Sequence, residues 1–307
     1  MHGHSISWLV PAHPEPPLMP HDLWAVWNIE PSILIPLMLT ALIYSWGIRN
    51  LRQRAGIRQG IHRLRLISFL GALLALFVAF VSPLDALSHV LFSAHMVQHL
   101  VLILIAAPLF VMSDFPLAFL WALPRGWTRT LGHHLNRFQT LSRVSRVLDS
   151  PLFAWLAFMI ALWLWHLPTF FEAALQDETI HTWEHLVFLI TAMLFWWILL
   201  KPAGQKHLHY GMAVPYLFTT LLHSGVLGAL MTFTSLPWYP YYADLVASWG
   251  ISPLQDQQLA GLIMWVPGGA VFTVLTIGYF TAWLRVLEQR SERIQGEFLR
   301  KHYGLKK

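Results

Sequence analysis

The chain has 307 residues, a formal net charge of +5, and no cysteine. Apolar residues make up 56% of it and charged residues only 11%, against about 25% charged in an ordinary soluble domain. A soluble globular surface is thereby excluded, as are disulfides and thiolate metal sites. Any soft-metal chemistry must rest on the 17 His and 10 Met.

Spanning a bilayer core takes about 20 mostly apolar residues. In chain order, seven stretches meet that need: Ser32–Ile48, Leu66–Ser82, Val90–Met112, Leu152–Leu167, Thr182–Leu200, Met212–Leu236 and Leu259–Leu284. The fourth is short. Pro116–Pro124 is apolar but too short to span, and reads as an interfacial turn. The expected fold is an all-α polytopic transmembrane bundle. It divides into a His- and Pro-rich tail (1–30) with little fixed structure, a membrane domain (31–285) and a basic tail (286–307).

Charge placement gives the orientation. The 20 Lys and Arg fall in four segments: Arg49–Arg65, Arg125–Arg146, Lys201–Lys206 and Arg285–Lys307. Seven spans put all four on one side, which the positive-inside rule makes the cytoplasm. The N-terminus is then outside and the C-terminus inside. The opposite segments carry Glu15, Asp22, Glu30, Asp85, Glu172, Asp177, Glu178, Asp244 and Asp256. The basic charge thus finds its use at a bilayer face, in the cell membrane, and implies no nucleic-acid partner. Residues 1–30 show no basic start or apolar run of a cleavable signal peptide. His2, His4, His13 and His21 could collect metal weakly, though a tail of this kind is more often only a tail.

Five histidines share one membrane depth. His95 and His99 begin the third span, His166 ends the fourth, and His181 and His185 begin the fifth. Residues i and i+4 lie about 40° apart around a helix, so each pair can present two imidazoles to one ion. A single such pair is weak evidence, and interfacial histidines can simply face water. Two pairs and a fifth residue at one depth point to a metal or cofactor site, because ionisable groups in spans are costly. Glu184 could accept the ring N–H of His185, act as a ligand, or act as a general base. Asp85, Asp256 and Gln257 lie at the same level as possible supporting groups. Met96 and Met264 are possible thioether ligands, and Gly261 would allow helices to approach closely on the face shared with Gln257 and Met264. His223, deeper in the sixth span, reads first as an interhelical hydrogen bond, with a transfer site or proton relay as alternatives. Copper and zinc lead as candidate metals and haem iron stays open.

Three segments together resemble the cytochrome c oxidase assembly factors of the CtaG type, a polytopic family linked to caa-type oxidases. They are PLDALSHVLFSAHMVQHLVLILIAAPLFV at Pro83–Val111; WHLP at Trp165–Pro168 with AAL at Ala173–Leu175, HTWEHLVFL at His181–Leu189 and FWW at Phe195–Trp197; and DQQLAGLIMW at Asp256–Trp265. The resemblance covers roughly residues 31–284. It implies a role in maturing haem–copper oxidase by copper delivery, with oxidase subunits and other copper chaperones as partners, and no catalytic activity of its own. The motif positions it brings across are Asp85, His95, Met96, His99, His166, His181, Glu184, His185, Asp256, Gln257 and Met264. The competing readings are an intramembrane zinc hydrolase, a haem-binding electron carrier and a metal-free scaffold for oxidase subunits.

Overall fold

The computed structural model describes residues 18–55, 63–124, 126, 147–200 and 208–303. His2, His4, His13, Glu15, Arg58, the Arg125–Arg146 run, Lys201, Lys206, Lys306 and Lys307 lie outside the described residues. The described residues are helical, with no strand among them. The helices are α1 (Pro31–Ala55), α2 (Arg63–Phe80), α3 (Pro83–Ser88), α4 (Phe92–Met112), α5 (Phe115–Ala122), α6 (Pro151–Trp165), α7 (Pro168–Gln176), α8 (Glu178–Leu200), α9 (Tyr210–Phe233) and α10 (Pro253–Tyr303).

Six of these, α1, α2, α4, α8, α9 and α10, are long and apolar enough to cross a membrane. The bent pair α6–α7 makes a seventh if it is counted as one span. The protein is therefore a multi-pass membrane protein. Its outward faces bear large apolar side chains such as Leu74, Ile160, Leu222 and Val274, which suits lipid as the solvent. All seven expected spans have a counterpart in these helices.

Three local features depart from simple rods, and each has a residue-level cause. First, α6 and α7 meet at 73°. Pro168 opens α7, and a proline disfavours helical backbone in the residue before it, so the run breaks at His166–Leu167. Second, α4 widens into a π turn over Val101–Ala106. Pro108 follows closely; it has no N–H to donate and its ring crowds the carbonyl one turn back. The Trp196 indole N–H donates to the Ile103 carbonyl within that widened turn at 2.7 Å. Third, Pro116–Pro124 is a short helix, α5, over most of its length rather than an interfacial turn. Its Ala118 backbone lies so close to Gly47 of α1 that no Cβ would fit there.

Packing forms two cores. One joins α1, α2, α5 and the second half of α4, around Tyr44 stacked on Phe69 at 3.6 Å. The other joins α4 with α6 through α10 and surrounds the histidines. Helices α9 and α10 run in close contact through Gly228 and Gly261. A Cβ on Gly261 would come 2.7 Å from the Gly228 carbonyl oxygen, so the close approach expected at Gly261 is present.

The ends of the bundle differ in charge. Arg49, Arg52, Arg63 and Arg65 lie where α1 hands over to α2, and Arg65 pairs with Asp114 at 2.8 Å. The histidines lie at the opposite end. So does the chain from Leu18 to Glu30, which is anchored rather than free. The Trp249 indole donates to the Leu18 carbonyl, the Asn28 amide N–H donates to the Val81 carbonyl, and the Asn28 side chain donates to Asp85 at 2.7 Å. His21 is exposed beside Asp22. Helix α10 runs unbroken for 51 residues, through the last apolar span and into the basic segment.

Candidate metal centre

Four imidazoles and one carboxylate meet between α4 and α8. The i, i+4 spacing sets His95 and His99 one above the other on α4, with ring centroids 4.3 Å apart. His181 and His185 do the same on α8 at 4.4 Å. Across the helices, His95 lies 5.3 Å from His181 and 5.5 Å from His185, and His99 lies 5.0 Å from His185. Among the described residues, two overlapping sets bring three ligand atoms within 4.8 Å of one another: His95, His99 and His185, and His95, His181 and Glu184.

Glu184 sits in the middle. It is fully buried, and its two oxygens lie 3.7 Å from His95 Nε2 and His99 Nε2. Consecutive helical residues point about 100° apart, so Glu184 reaches across to α4. The expected hydrogen bond to its neighbour His185 is not made. Among the described residues, neither carboxylate oxygen has a hydrogen-bond partner, nor do His95 and His99 at either ring nitrogen, nor His181 and His185 at Nε2.

Buried polar groups are normally paired, and an uncompensated buried charge is costly. A pocket of bare imidazole and carboxylate lone pairs is the arrangement a cation would complete. The donor set, nitrogen with oxygen and no thiolate, suits copper(II) or zinc.

His166 stands beside this cluster. Its ring centroid is 6.3 Å from that of His99, and it belongs to neither three-ligand set. Its partners are the Leu162 carbonyl through Nδ1 at 2.7 Å and Met96 Sδ through Nε2 at 3.4 Å. Met264 lines a small cavity with His99, His166, Met96 and Ser224. His223 is elsewhere. It meets Trp155 edge-on at 5.5 Å, and neither ring nitrogen has a hydrogen-bond partner among the described residues, so the interhelical hydrogen bond expected there is not formed.

The three other polar positions hold the cluster's supports in place. Asp256, at the start of α10, accepts the backbone N–H groups of Phe92 at 2.6 Å and Ser93 at 3.1 Å. Helix α4 lacks a side-chain cap from its own N-cap residue, Leu91, so Asp256 caps it from another helix. Gln257 accepts the Trp238 N–H and donates to the Leu236 carbonyl, fixing the loop before α10. Asp85 accepts from Asn28 and, at 3.0 Å, from the Gln98 amide, which also donates to the Ala79 carbonyl. Burial pushes the Asp85 carboxyl above its ordinary range, while the Asn28 hydrogen bond, His89 and Gln98 pull it back.

Two residues of consequence were not singled out in the sequence. Gln98 lies inside the HxxxH repeat and ties α4 to α2 and α3. His89 is exposed, and its ring lies 5.5 Å from that of His181. Its signal was its place six residues before His95, at the end of α3. A lid of aromatic rings covers the buried side: Phe171 meets His95 at 5.1 Å and Tyr239 at 4.5 Å. The Tyr239 hydroxyl donates to the His166 carbonyl and that of Tyr242 to the Ser88 carbonyl. Burial, then the nearby carboxylates of Glu184 and Asp256, push the Tyr242 hydroxyl well above its ordinary range.

Comparison with known proteins gives a family and no fold precedent. The chain is 26% identical over 284 residues to uncharacterised proteins of Mycobacterium bovis and Mycobacterium tuberculosis, and 24% identical over 284 residues to one of Mycobacterium leprae. Each alignment covers 89% of this chain and 41% of the relative. The chain thus spans about two-fifths of the length of the curated relatives it matches. No solved structure matches it. The family described as cytochrome c oxidase caa3 assembly factor matches residues 42–286, a range that holds every cluster residue described above, and the chain belongs to that family.

Proposed function

We propose that this protein assists the assembly of a haem–copper cytochrome c oxidase by capturing copper at the histidine end of the bundle and passing it to an oxidase subunit docked there. The observation that carries the reading is the buried Glu184 carboxylate, which makes no hydrogen bond among the described residues, with four imidazoles within reach of it or of one another. Copper is cargo here. His95, His99, His181, His185 and Glu184 would hold it, and exposed His89 would hand it inward to His181. The family supplies the oxidase as partner, and the charge asymmetry supplies the orientation: arginine-rich end in the cytoplasm, histidine end outside, in the cell membrane.

Delivery needs capture and release. The site lies between α4, whose first turn is held by Asp256 of α10, and α8, and exposed His89 beside His181 gives a docked partner a way to the mouth of the cluster. Nothing in this role requires a bond to be made or broken in a substrate. A zinc hydrolase would need a carboxylate free to activate water; Asp256 is already committed to the amides of α4, which leaves Glu184 to fill that role in the competing reading.

The test is His99→Ala and His185→Ala in cells that depend on the oxidase. Both variants are expected to insert in the membrane and to lower copper content and oxidase maturation. Unchanged oxidase activity in both would remove the copper reading and leave a scaffold role.

A further inference from the structure

We infer that Met96, His166 and Met264 form a second metal station, distinct from the histidine–glutamate cluster and suited to a soft monovalent cation, Cu(I). The inference deepens the copper reading, but it stands on different residues and a different cavity.

The first observation is two electron pairs that face each other. His166 Nδ1 lies 2.7 Å from the Leu162 carbonyl oxygen. A carbonyl only accepts, so Nδ1 carries the ring proton. The neutral ring then leaves Nε2 as a bare lone pair, and 3.4 Å away it meets Met96 Sδ, which has no proton to give. Both residues are buried, Met96 completely. At 3.4 Å they are near van der Waals contact, so they can rest unbridged, or be bridged by a second ring proton or by a cation. A thioether is a weak hydrogen-bond acceptor and a good soft ligand, so the pair is better matched to the cation. Metal–ligand bonds of about 2.0 Å to nitrogen and about 2.3 Å to sulfur would bridge this separation at an angle of roughly 104°, close to tetrahedral.

The second observation is space. A cavity of about 40 Å³ opens beside this pair, lined by Met96, His99, His166, Ser224 and Met264 among others. Thus a second methionine, Met264 of α10, lines the void that the first pair flanks. His99 borders it too, and its other face belongs to the histidine–glutamate cluster. His99 is therefore the residue the two stations share, and an ion already in the Cu(I) state could move from one to the other by exchanging ligands around it.

The third observation is how the chain builds the site. Pro168 ends α6 at His166 and turns the next helix by 73°. That break presents the His166 ring at a helix end rather than along a continuous lipid-facing rod. Below it, the π turn of α4 begins two residues after His99; such turns recur at functional sites.

The two stations differ in chemistry. The upper one, with imidazole and carboxylate, accepts copper(II) or zinc; the lower one, with two thioethers and imidazole, rejects zinc in favour of Cu(I). Metal arriving oxidised would have to be reduced elsewhere before it could rest at the lower station, so that station is filled by ions that arrive as Cu(I).

The experiment loads the purified full-length protein with Cu(I) under anaerobic conditions and records copper X-ray absorption. The expected result is a sulfur shell near 2.3 Å beside a nitrogen shell in the parent. In Met96→Leu and in Met264→Leu, which nearly conserve volume, the sulfur shell should shrink while nitrogen scattering persists. Zn(II) loading should give no sulfur shell in any form. Copper bound through nitrogen and oxygen alone in the parent would overturn the second station and leave the histidine cluster standing. A sulfur shell unchanged in both well-folded variants would overturn it as well, by assigning the sulfur to other methionines. Failure to bind copper at all would remove both stations.

Discussion

The Asp256 carboxylate accepts the backbone N–H of Phe92 at 2.6 Å, from a position 164 residues further along the chain. The first turn of the helix that carries His95 and His99 is therefore fixed by the start of the last helix. Residues a whole membrane domain apart in sequence are joined at the mouth of the histidine cluster.

Asp256→Ala should thus act on the site without removing a ligand. Loss of a side-chain cap costs about 1 kcal/mol, and more where the orphaned N–H groups stay buried. We expect a lower melting temperature in detergent and weaker copper retention. Asp256→Asn, which keeps an oxygen to accept one N–H, should recover part of both. Equal retention in Asp256→Ala and parent would show that the cap does not position the histidines.

Glu184→Gln separates stability from binding. The substitution keeps shape and removes a carboxyl group that has no hydrogen-bond partner among the described residues. A side chain that makes no hydrogen bond leaves none for the substitution to break. The metal-free variant should melt no lower than the parent, while copper affinity falls roughly tenfold or more, as for other groups that tune a metal site. A strong loss of stability without metal would mean that the carboxylate has a structural partner instead.

His89→Ala should change rate rather than capacity. His89 is exposed and lies in ring contact with His181, outside both three-ligand sets. Stopped-flow loading should slow while the final copper content is unchanged. A reduced final content would make His89 a ligand of the resting site.

Asp85 has a pH consequence whose sign is fixed by burial. Its carboxyl is pushed up relative to the unfolded chain, so between the unfolded and folded values the native state holds more protons. Stability from this group therefore falls as pH rises through that window. Asp85→Asn should remove the fall, so the melting temperature of the variant gains on the parent as pH is raised from acid toward neutral. A gap between variant and parent that does not change with pH would contradict the assignment.

The spans were legible because hydropathy over about 20 residues is a strong signal in lipid, and the i, i+4 histidine pairs were legible because helical period alone puts each pair on one face. Those readings needed no tertiary knowledge. What Asp256 and Gln257 do was not legible: their level was readable, but whether a carboxylate turns to an imidazole or to a neighbouring helix's amides depends on the approach of α10 to α4. The bend at Pro168 had a visible cause in WHLP, yet a hydropathy window reads only the apolar half before it and makes the fourth span look short. Glu184 was read against its sequence neighbour His185, and the fold turned it to His95 and His99. His89 escaped because a lone histidine six residues from the pair shares no helix face with it.

The close approach of α9 and α10 gives a packing test. Gly261→Ala puts a Cβ 2.5 Å from Thr232 Oγ1 and 2.7 Å from the Gly228 carbonyl oxygen, and overpacking of this kind costs about 1–3 kcal/mol. Gly278→Ala, where a Cβ meets nothing within 4 Å, is the matched control on the same helix. Only the first should lower the melting temperature and the yield of folded protein; equal behaviour would show that the helices are further apart.

The central claim, that four histidines and Glu184 hold copper, is tested most directly by metal content. The protein, purified in mild detergent and loaded separately with copper and zinc, is compared by mass spectrometry with a variant lacking His95, His99, His181 and His185. The account predicts copper retained by the parent and lost by the variant, with both forms inserted in the membrane. Copper retained equally by both, or by neither, would contradict it.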